Sequence, residues 1–121
     1  MTRTMRPSNA LQQVLLYRNP VDFRKSWQGL SAIVELELGH NPFDGRLYVF
    51  INRHRNKIKC LFWENNGFVL YYKSLAEEKF HWPRQDETVH TITGEQMNWL
   101  LDGYNIAAMK PHKKLVYESI F

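Results

Sequence analysis

The sequence contains a single cysteine, Cys60, among its 121 residues. One cysteine excludes any disulfide within the chain and cannot by itself complete a structural zinc site, so apolar burial must hold the fold together. Proteins without disulfides are typical of reducing compartments, and we therefore expect a cytoplasmic protein. Because Cys60 lies in an apolar run with no base beside it in sequence, we expect a buried structural thiol rather than a nucleophile.

Long apolar runs and catalytic motifs are also absent. No uninterrupted apolar run exceeds five residues, whereas a membrane span needs roughly 20, so we expect no membrane partner. The five histidines show neither HxxxH nor HExxH spacing, and the six glycines never form a phosphate-binding loop. The sequence therefore predicts no catalytic residues, no metal site and no cofactor.

The composition is that of an ordinary globular domain with a basic balance. Hydrophobic residues make up 44% of the chain and charged residues 23%, and the net charge is +4. These values exclude the disordered class and suit one packed core, while the basic balance is compatible with nucleic-acid binding. Polarity along the chain predicts a flexible arm at 1–13, one domain at 14–103 and a basic and apolar tail at 104–121.

Two helices are predicted, a longer one and a shorter one. Asp22 is a candidate N-cap for the first helix, and Gly39 stands where a helix C-terminus favours glycine. Its apolar stripe recurs at spacings of three and four: Phe23, Trp27, Leu30, Val34 and Leu38. Thr93 and Gln96 form a capping box that opens the second helix, which runs through Leu101 and is closed by Gly103.

The middle of the chain is strand material, rich in aromatic and β-branched residues. A turn at Asn66-Gly67 is typical of a two-residue hairpin. The predicted strands are 46–51, 57–64 and 68–74, with shorter candidates at 80–82 and 88–92 and an apolar run at 14–18. We therefore predict an α+β fold: an antiparallel β-meander of about four to six strands, with one longer helix before it and one short helix after it.

Strand alternation sorts the side chains into two faces if Ile51 pairs with Ile58. One face carries Val49, Cys60 and their apolar neighbours, and the other is aromatic. An aromatic sheet face can stack unpaired bases or bind a protein partner, but helices can also cover it as core. We expect it to be mainly core, and the candidates for a stacking or partner face are Tyr48, Phe50, Trp63 and Tyr72.

Positive charge is densest at a predicted hairpin tip and at the start of the first helix. Clustered cations on a protruding loop can contact nucleic-acid phosphates, although a solvated basic turn has the same composition. The candidate nucleic-acid-binding residues are Arg24, Lys25, Arg53, Arg55, Lys57 and Lys59.

Three carboxylates, Asp22, Asp44 and Glu64, provide the one route to catalysis that the residue types leave open. Converging carboxylates can hold two magnesium ions for nuclease chemistry. Each of the three, however, lies at a cap or turn where acidic and amide residues are common in any case. The interpretation as structural residues is therefore favoured.

The order of these features resembles a known family, the small second-reading-frame accessory proteins of bacterial insertion sequences of the sixty-six class. They are sometimes called TnpB-type and are unrelated to the RNA-guided nuclease of that name. The resemblance spans 14–103, and the residues that carry it are Asp22 to Lys25, Gly29-Leu30, Asn41 to Gly45, Tyr48 to Arg53, Ile58-Lys59, Trp63-Glu64, Gly67, Tyr72-Lys73, Leu75 and Phe80 to Pro83. The chain departs from the family pattern at Phe23, Asn41 and Glu64, where methionine, aspartate and aspartate are usual.

The resemblance implies a part in transposition beside a separate, larger transposase, and it supplies no agreed set of functional residues. We therefore expect a non-catalytic accessory protein that contacts DNA phosphates through the basic hairpin loop. The alternative is an assembly module that binds the transposase, or a second copy of itself, with no direct DNA role. A small magnesium-dependent nuclease is the third hypothesis.

Overall fold

The computed structural model describes residues 6–109. Five strands and two helices follow one another along the chain: β1 (Val14–Tyr17), α1 (Trp27–Leu36), β2 (Leu47–Ile51), β3 (Lys57–Glu64), β4 (Gly67–Ser74), β5 (Val89–Ile92) and α2 (Gly94–Leu101). The α+β class, the strand number and the presence of a longer and a shorter helix agree with the sequence-based prediction.

The sheet is mixed, so the prediction of a purely antiparallel meander is only partly right. Its strand order is β4-β3-β2-β1-β5. Strands β2, β3 and β4 form the predicted antiparallel meander, but β1 pairs in parallel with β2. The physical reason is that α1 lies between β1 and β2 in the chain, and a helical crossover returns the chain in the same direction. The longer helix is therefore inserted between two neighbouring strands instead of preceding the sheet.

The predicted start of α1 is also corrected. Ser26 is the N-cap, and the helix begins at Trp27. Asp22 instead accepts a hydrogen bond from the backbone N–H of Arg24, which forms a local turn. The C-terminal prediction was closer, since Gly39 has φ +67°, a conformation that glycine adopts without steric cost, but α1 ends at Leu36 and Gly39 lies two residues beyond the C-cap, Glu37.

The hairpin between β3 and β4 differs in detail from the prediction. Glu64 pairs with Gly67, so Asn65 and Asn66 form the turn, and Asn65 has φ +53°. The pairing is thus shifted by two residues from a turn at Asn66-Gly67. Because side chains alternate with a period of two, this shift leaves every side chain on its predicted face. Residues 80–82, predicted as a short strand, are irregular.

Each face of the sheet is covered by one helix. Ile51 pairs with Ile58 as predicted, and the two faces therefore separate as strand alternation requires. On one face, α1 contributes Leu30, Ile33 and Val34 to a core that includes Tyr48 and Phe50. On the other face, α2 contributes Met97, Leu100 and Leu101 to a core that includes Cys60, Phe80 and Trp82. Cys60 is fully buried, and burial raises the pKa of its thiol.

Residues 6–11, which belong to the segment predicted as an arm, lie against α2. The backbone N–H of Gly94 donates to the carbonyl of Leu11 at 2.8 Å, and Asn98 donates to the carbonyl of Pro7 at 2.9 Å. Arg6 forms an ion pair with Asp102 at 3.1 Å. Of the predicted tail, 104–109 is described and Ile106 is buried in the α2-side core, whereas 110–121 lies outside the described residues.

Candidate nucleic-acid interface

The basic turn, defined here as residues 52–57, connects β2 to β3 and is organised by one buried amide. Asn52 is 8% exposed. Its Oδ1 accepts hydrogen bonds from the backbone N–H groups of Asn56 and Lys57 at 3.1 and 3.0 Å, and its Nδ2 donates to Oδ1 of Asn56 at 2.7 Å. The side chain therefore fixes the path of the loop backbone, and Arg53, His54 and Arg55 are exposed around it.

A second set of hydrogen bonds fixes the outer side of the basic turn. The segment 75–80 follows β4, and there the N–H of Leu75 donates to the carbonyl of Asn56 at 2.8 Å. The N–H of Phe80 donates to the carbonyl of Arg55 at 2.7 Å, and Arg55 itself has φ +60°. Arg53 and Arg55 are exposed, and neither side chain forms an ion pair with another residue in 6–109. The two guanidinium groups thus extend from a backbone that is already ordered.

The segment before α1, residues 21–26, reaches the same end of the sheet. The N–H of Val21 donates to the carbonyl of Ile51, the last residue of β2, at 2.9 Å. Arg24 and Lys25 on this segment are exposed. Arg24 forms an ion pair with Asp22 at 2.6 Å, and its hydrogen bonds lower the pKa of Asp22 to about 2. Arg24 therefore brings a partly compensated charge to this end, whereas Lys25 forms no ion pair within residues 6–109.

Lys59 does not join the exposed cations. It is 7% exposed, and its ammonium donates to the carbonyls of Phe23 and Lys25, each at 2.8 Å. The same ammonium lies 5.0 Å from the ring centre of Phe23 and 5.5 Å from that of Tyr72. Burial lowers the pKa of Lys59. Its contacts hold the segment 21–26 against the sheet.

Five of the six predicted cations thus lie together at one end of the sheet. The sixth, Lys59, is buried and binds the backbone of the segment 21–26 that carries two of them. This end of the sheet also carries the other exposed cations of residues 6–109. Arg18 follows β1 and bonds through its N–H to the carbonyl of Thr88, Arg84 lies beside Val89 at the start of β5, and Lys79 precedes Phe80. Exposed acids are present here as well: Asp22, Glu77, Glu78, Asp86 and Glu87. The basic character is therefore strongest at Arg53, Arg55 and Lys57.

Two of the four aromatic candidates are core residues. Tyr48 and Phe50 are 1% and 0% exposed beneath α1, so their rings have no surface on which a base could stack. The hydroxyl of Tyr48 donates to Asp44 at 2.8 Å, and burial together with this bond raises the pKa of Tyr48. Burial alone would raise the pKa of Asp44, but the hydrogen bonds from Arg46 and Tyr48 outweigh it and lower that pKa.

The other two candidates belong to the surface. Tyr72 is 46% exposed and Trp63 is half-buried. Trp63 joins an aromatic cluster that sequence reasoning missed, formed by Trp27, Phe43, Trp63 and Phe68. Ring centres within it lie 4.9 to 5.4 Å apart, and Trp27 and Phe43 are 44% and 54% exposed. Its members come from three separate parts of the chain, so no local pattern could have revealed it.

The aromatic cluster and the basic turn lie at opposite ends of β3. The basic turn precedes Lys57, whereas Trp63 and Phe68 flank the turn that follows Glu64. An eight-residue strand spans about 25 Å at roughly 3.3 Å per residue. The surface therefore offers two separate regions with different chemistry, one cationic and one aromatic.

The three carboxylates considered for catalysis are not brought together. Asp22 lies at the basic end, whereas Asp44 precedes β2 and Glu64 ends β3 at the opposite end. Asp44 is also held in an ion pair with Arg46 at 2.7 Å. No group of three or more metal-ligating side chains is found within residues 6–109. In the same residues, no helix has the length and apolar character needed to cross a membrane.

The structure is that of a small α+β protein with a mixed sheet, one helix on each face and a hydrogen-bonded basic turn at one end of the sheet. The sequence profile of the IS66 Orf2-like protein family matches residues 12–111, and the chain belongs to this family. Membership implies an accessory protein of transposition, as the resemblance indicated.

Among curated proteins, the chain is similar to two uncharacterized proteins of Sinorhizobium fredii. It is 29% identical to y4jC over 104 residues, which covers 86% of this chain and 88% of that protein. It is 30% identical to y4hO over 99 residues, with 82% and 86% covered. No solved structure gives a significant match.

Proposed function

We propose that this transposition accessory protein contacts DNA phosphates through its basic turn. The observation that carries the proposal is the exposure of Arg53 and Arg55 on a loop whose backbone is held from both sides by hydrogen bonds. A preformed loop loses little conformational entropy on binding, because its backbone is ordered in advance. Lys25, Arg24 and Lys57 extend the cationic surface on either side of the two arginines.

The contacts would position the protein on DNA without selecting a sequence. Arginine side chains bind phosphate oxygens through paired N–H donors, and such backbone contacts carry no base information. Each phosphate that is neutralised releases condensed counterions, so affinity falls as the salt concentration rises. The proposal therefore concerns a general DNA affinity, and any preference for the ends of the element would come from the transposase.

Arg53→Gln and Arg55→Gln should each weaken DNA binding to a similar extent on all sequences. Each change removes about one phosphate contact, so the slope of log affinity against log salt should fall by about one. The measurement is a fluorescence anisotropy titration on matched single-stranded and double-stranded DNA, including the element's ends, at several salt concentrations.

Two matched changes separate local contact from overall charge. Glu64→Gln raises the net charge by one at the far end of β3 and should leave the salt slope unchanged, because exposed charges act over about 10 Å at moderate salt. Glu77→Gln removes an acid beside the basic turn and should strengthen binding. Salt slopes equal to that of the wild-type protein in both arginine variants would contradict the assignment. If Glu64→Gln increased DNA affinity as much as Glu77→Gln does, the binding would depend on net charge and not on the basic turn.

A second candidate function is assembly with the transposase through the aromatic cluster. The specific observation in its favour is the large exposure of Trp27 and Phe43 beside Trp63 and Phe68. Aromatic side chains dominate the energetics of many protein interfaces, where truncation of a central one often costs about 2 kcal/mol or more. Such a contact would persist at high salt, unlike contact with phosphates.

Phe43→Ala and Trp63→Ala should each weaken binding to the transposase of the same element about 30-fold, the factor that corresponds to about 2 kcal/mol. Isothermal titration calorimetry at high salt measures the affinity while it suppresses phosphate contacts. Tyr104→Ala is the control, because Tyr104 is a 55% exposed aromatic that follows α2 outside the cluster. Equal affinities in all three variants, or no binding by the wild-type protein, would exclude this function for the cluster.

A further inference from the structure

The two edges of the described sheet differ in length and chemistry. β5 is a four-residue edge strand whose His90 and Thr91 are exposed, and such a short polar edge resists pairing with other chains. β4 is an eight-residue edge strand that contains the uninterrupted apolar run 68–72. Only one of its sides is paired, with β3, within residues 6–109. A long apolar edge of this kind is a template for a further strand.

β4 has the composition of an interior strand. Among the strands of residues 6–109, the other one with a five-residue apolar run is β2, which lies between β1 and β3 and whose residues Leu47–Ile51 are all buried. Continuous apolar runs are typical of strands covered on both faces, because neither face then meets water. In β4, by contrast, none of the eight residues is fully buried. β4 therefore leaves more of its apolar side chains exposed than is typical of a strand with this composition.

Apolar surface borders the open side of β4 on both faces of the sheet. On the α1 face, Tyr72 is 46% exposed and Trp27, which stacks on Phe68, is 44% exposed. On the α2 face, Val69 is 37% exposed and borders a cavity of about 570 Å³. The apolar lining of that cavity includes Leu11, Leu47, Phe62, Val69 and Tyr71, and Pro7, Leu70 and Tyr72 also border it. A strand added in the plane of the sheet would cover both regions at once.

We propose that β4 pairs with β4 of a second copy of this chain, which joins two five-stranded sheets into one of ten strands. A second copy fits because it offers a strand of the same length that is apolar on both faces, as this edge requires. A two-fold axis perpendicular to the sheet makes the pair antiparallel and keeps each face continuous with its counterpart. Val69 and Tyr71 of each copy then lie beside the cavity of the other.

This arrangement has a consequence for the basic turns. Ser74, at the end of β4, pairs with Lys57 at the edge of the basic turn. Because the two β4 strands run in opposite directions, the dimer places its two basic turns at opposite ends of the joined sheet. Two separate DNA segments could then be held by one dimer. The pairing itself needs no DNA, so it can be tested separately from the phosphate contacts.

Val69→Lys should convert the dimer to a monomer. The new ammonium would lie at the paired edge, and charged side chains at an edge oppose strand pairing. Light scattering during size-exclusion chromatography should give twice the 14.5 kDa chain mass for the wild-type protein. The dimer dissociation constant of Val69→Lys should rise at least about tenfold. Thr91→Lys, which adds the same charge to the β5 edge, should leave the mass unchanged.

Amide hydrogen exchange provides a second measurement that does not rely on a variant. Exchange at 69–72 should slow as the wild-type protein concentration rises through the dissociation constant. A wild-type monomer at every concentration would overturn the proposal. A dimer that survives Val69→Lys would place the interface elsewhere and also overturn it. Protection at 69–72 that is independent of concentration would show that residues of the same chain cover the edge, which would equally overturn pairing between copies.

Discussion

Gly94→Ala should destabilise the protein by about 3 kcal/mol or more, although alanine is the better helix former. A Cβ atom at position 94 would lie 2.2 Å from the carbonyl oxygen of Ser8 and 3.1 Å from the backbone nitrogen of Leu11. Both are backbone atoms, so no side-chain rotation can relieve the overlap. The segment 6–11 would have to leave α2, and the hydrogen bond from Gly94 to Leu11 would be lost with it.

Urea unfolding measures this effect, with Gly67→Ala as the control. A Cβ at position 67 would meet nothing within 4 Å, so that variant should remain within about 0.5 kcal/mol of the wild-type protein. Hydrogen exchange should also rise selectively at 6–11 in Gly94→Ala. If both glycine variants unfold at the same urea concentration, the close packing of 6–11 on α2 is refuted.

Asn52→Ala should have the second-largest effect, about 2 to 4 kcal/mol. The change removes the acceptor for the N–H groups of Asn56 and Lys57 and leaves these donors unpaired inside the basic turn. These part-buried donors are incompletely hydrated when their acceptor is lost, which makes the loss larger than that of an exposed hydrogen bond. Thermal or urea unfolding gives the stability change.

The same variant also tests the role of loop order in the proposed DNA contact. Asn52→Ala removes no charge, yet DNA affinity and salt slope should both fall because Arg53 and Arg55 lose their fixed backbone. Asn66→Ala changes the corresponding residue type in the turn between β3 and β4, where Asn66 is exposed. It should alter neither stability by more than about 0.5 kcal/mol nor DNA affinity. Unchanged DNA binding in Asn52→Ala would show that preorganisation of the loop is unimportant.

Local signals in the sequence predicted the parts of the fold that depend on neighbouring residues. The capping box is present, since the Thr93 hydroxyl accepts from the N–H of Gln96 and the Gln96 side chain accepts from the N–H of Thr93. Strand alternation placed Val49, Cys60 and their neighbours on one face and Tyr48 and Phe50 on the other. The start of α1 could not be predicted in this way, because the contact of Lys59 with residues 23 and 25 holds that segment in another conformation.

The location of the candidate site was also predicted only in part. Sequence composition identified the basic turn, and the turn is where the exposed arginines lie. Sequence could not show that Lys59 is buried, because a lysine next to a cationic loop has the same local pattern whether its side chain faces solvent or core. The aromatic cluster was equally invisible, since Trp27, Phe43 and Trp63 meet only after α1 and the loop before β2 pack on the sheet.

The sequence by itself determined most of the secondary structure elements, though not the start of α1 or the irregular conformation of 80–82, together with the face on which each strand residue lies and the concentration of charge at residues 53–57. These follow from interactions between residues close together in the chain, which a pattern records directly. Only the tertiary structure decided that β1 runs parallel to β2, that residues 21–26 join the basic turn at one end, and that β4 is left at an edge. These features depend on contacts across long separations, such as the 36 positions that separate Phe23 from Lys59 in the chain, and such contacts leave no periodic pattern in the sequence.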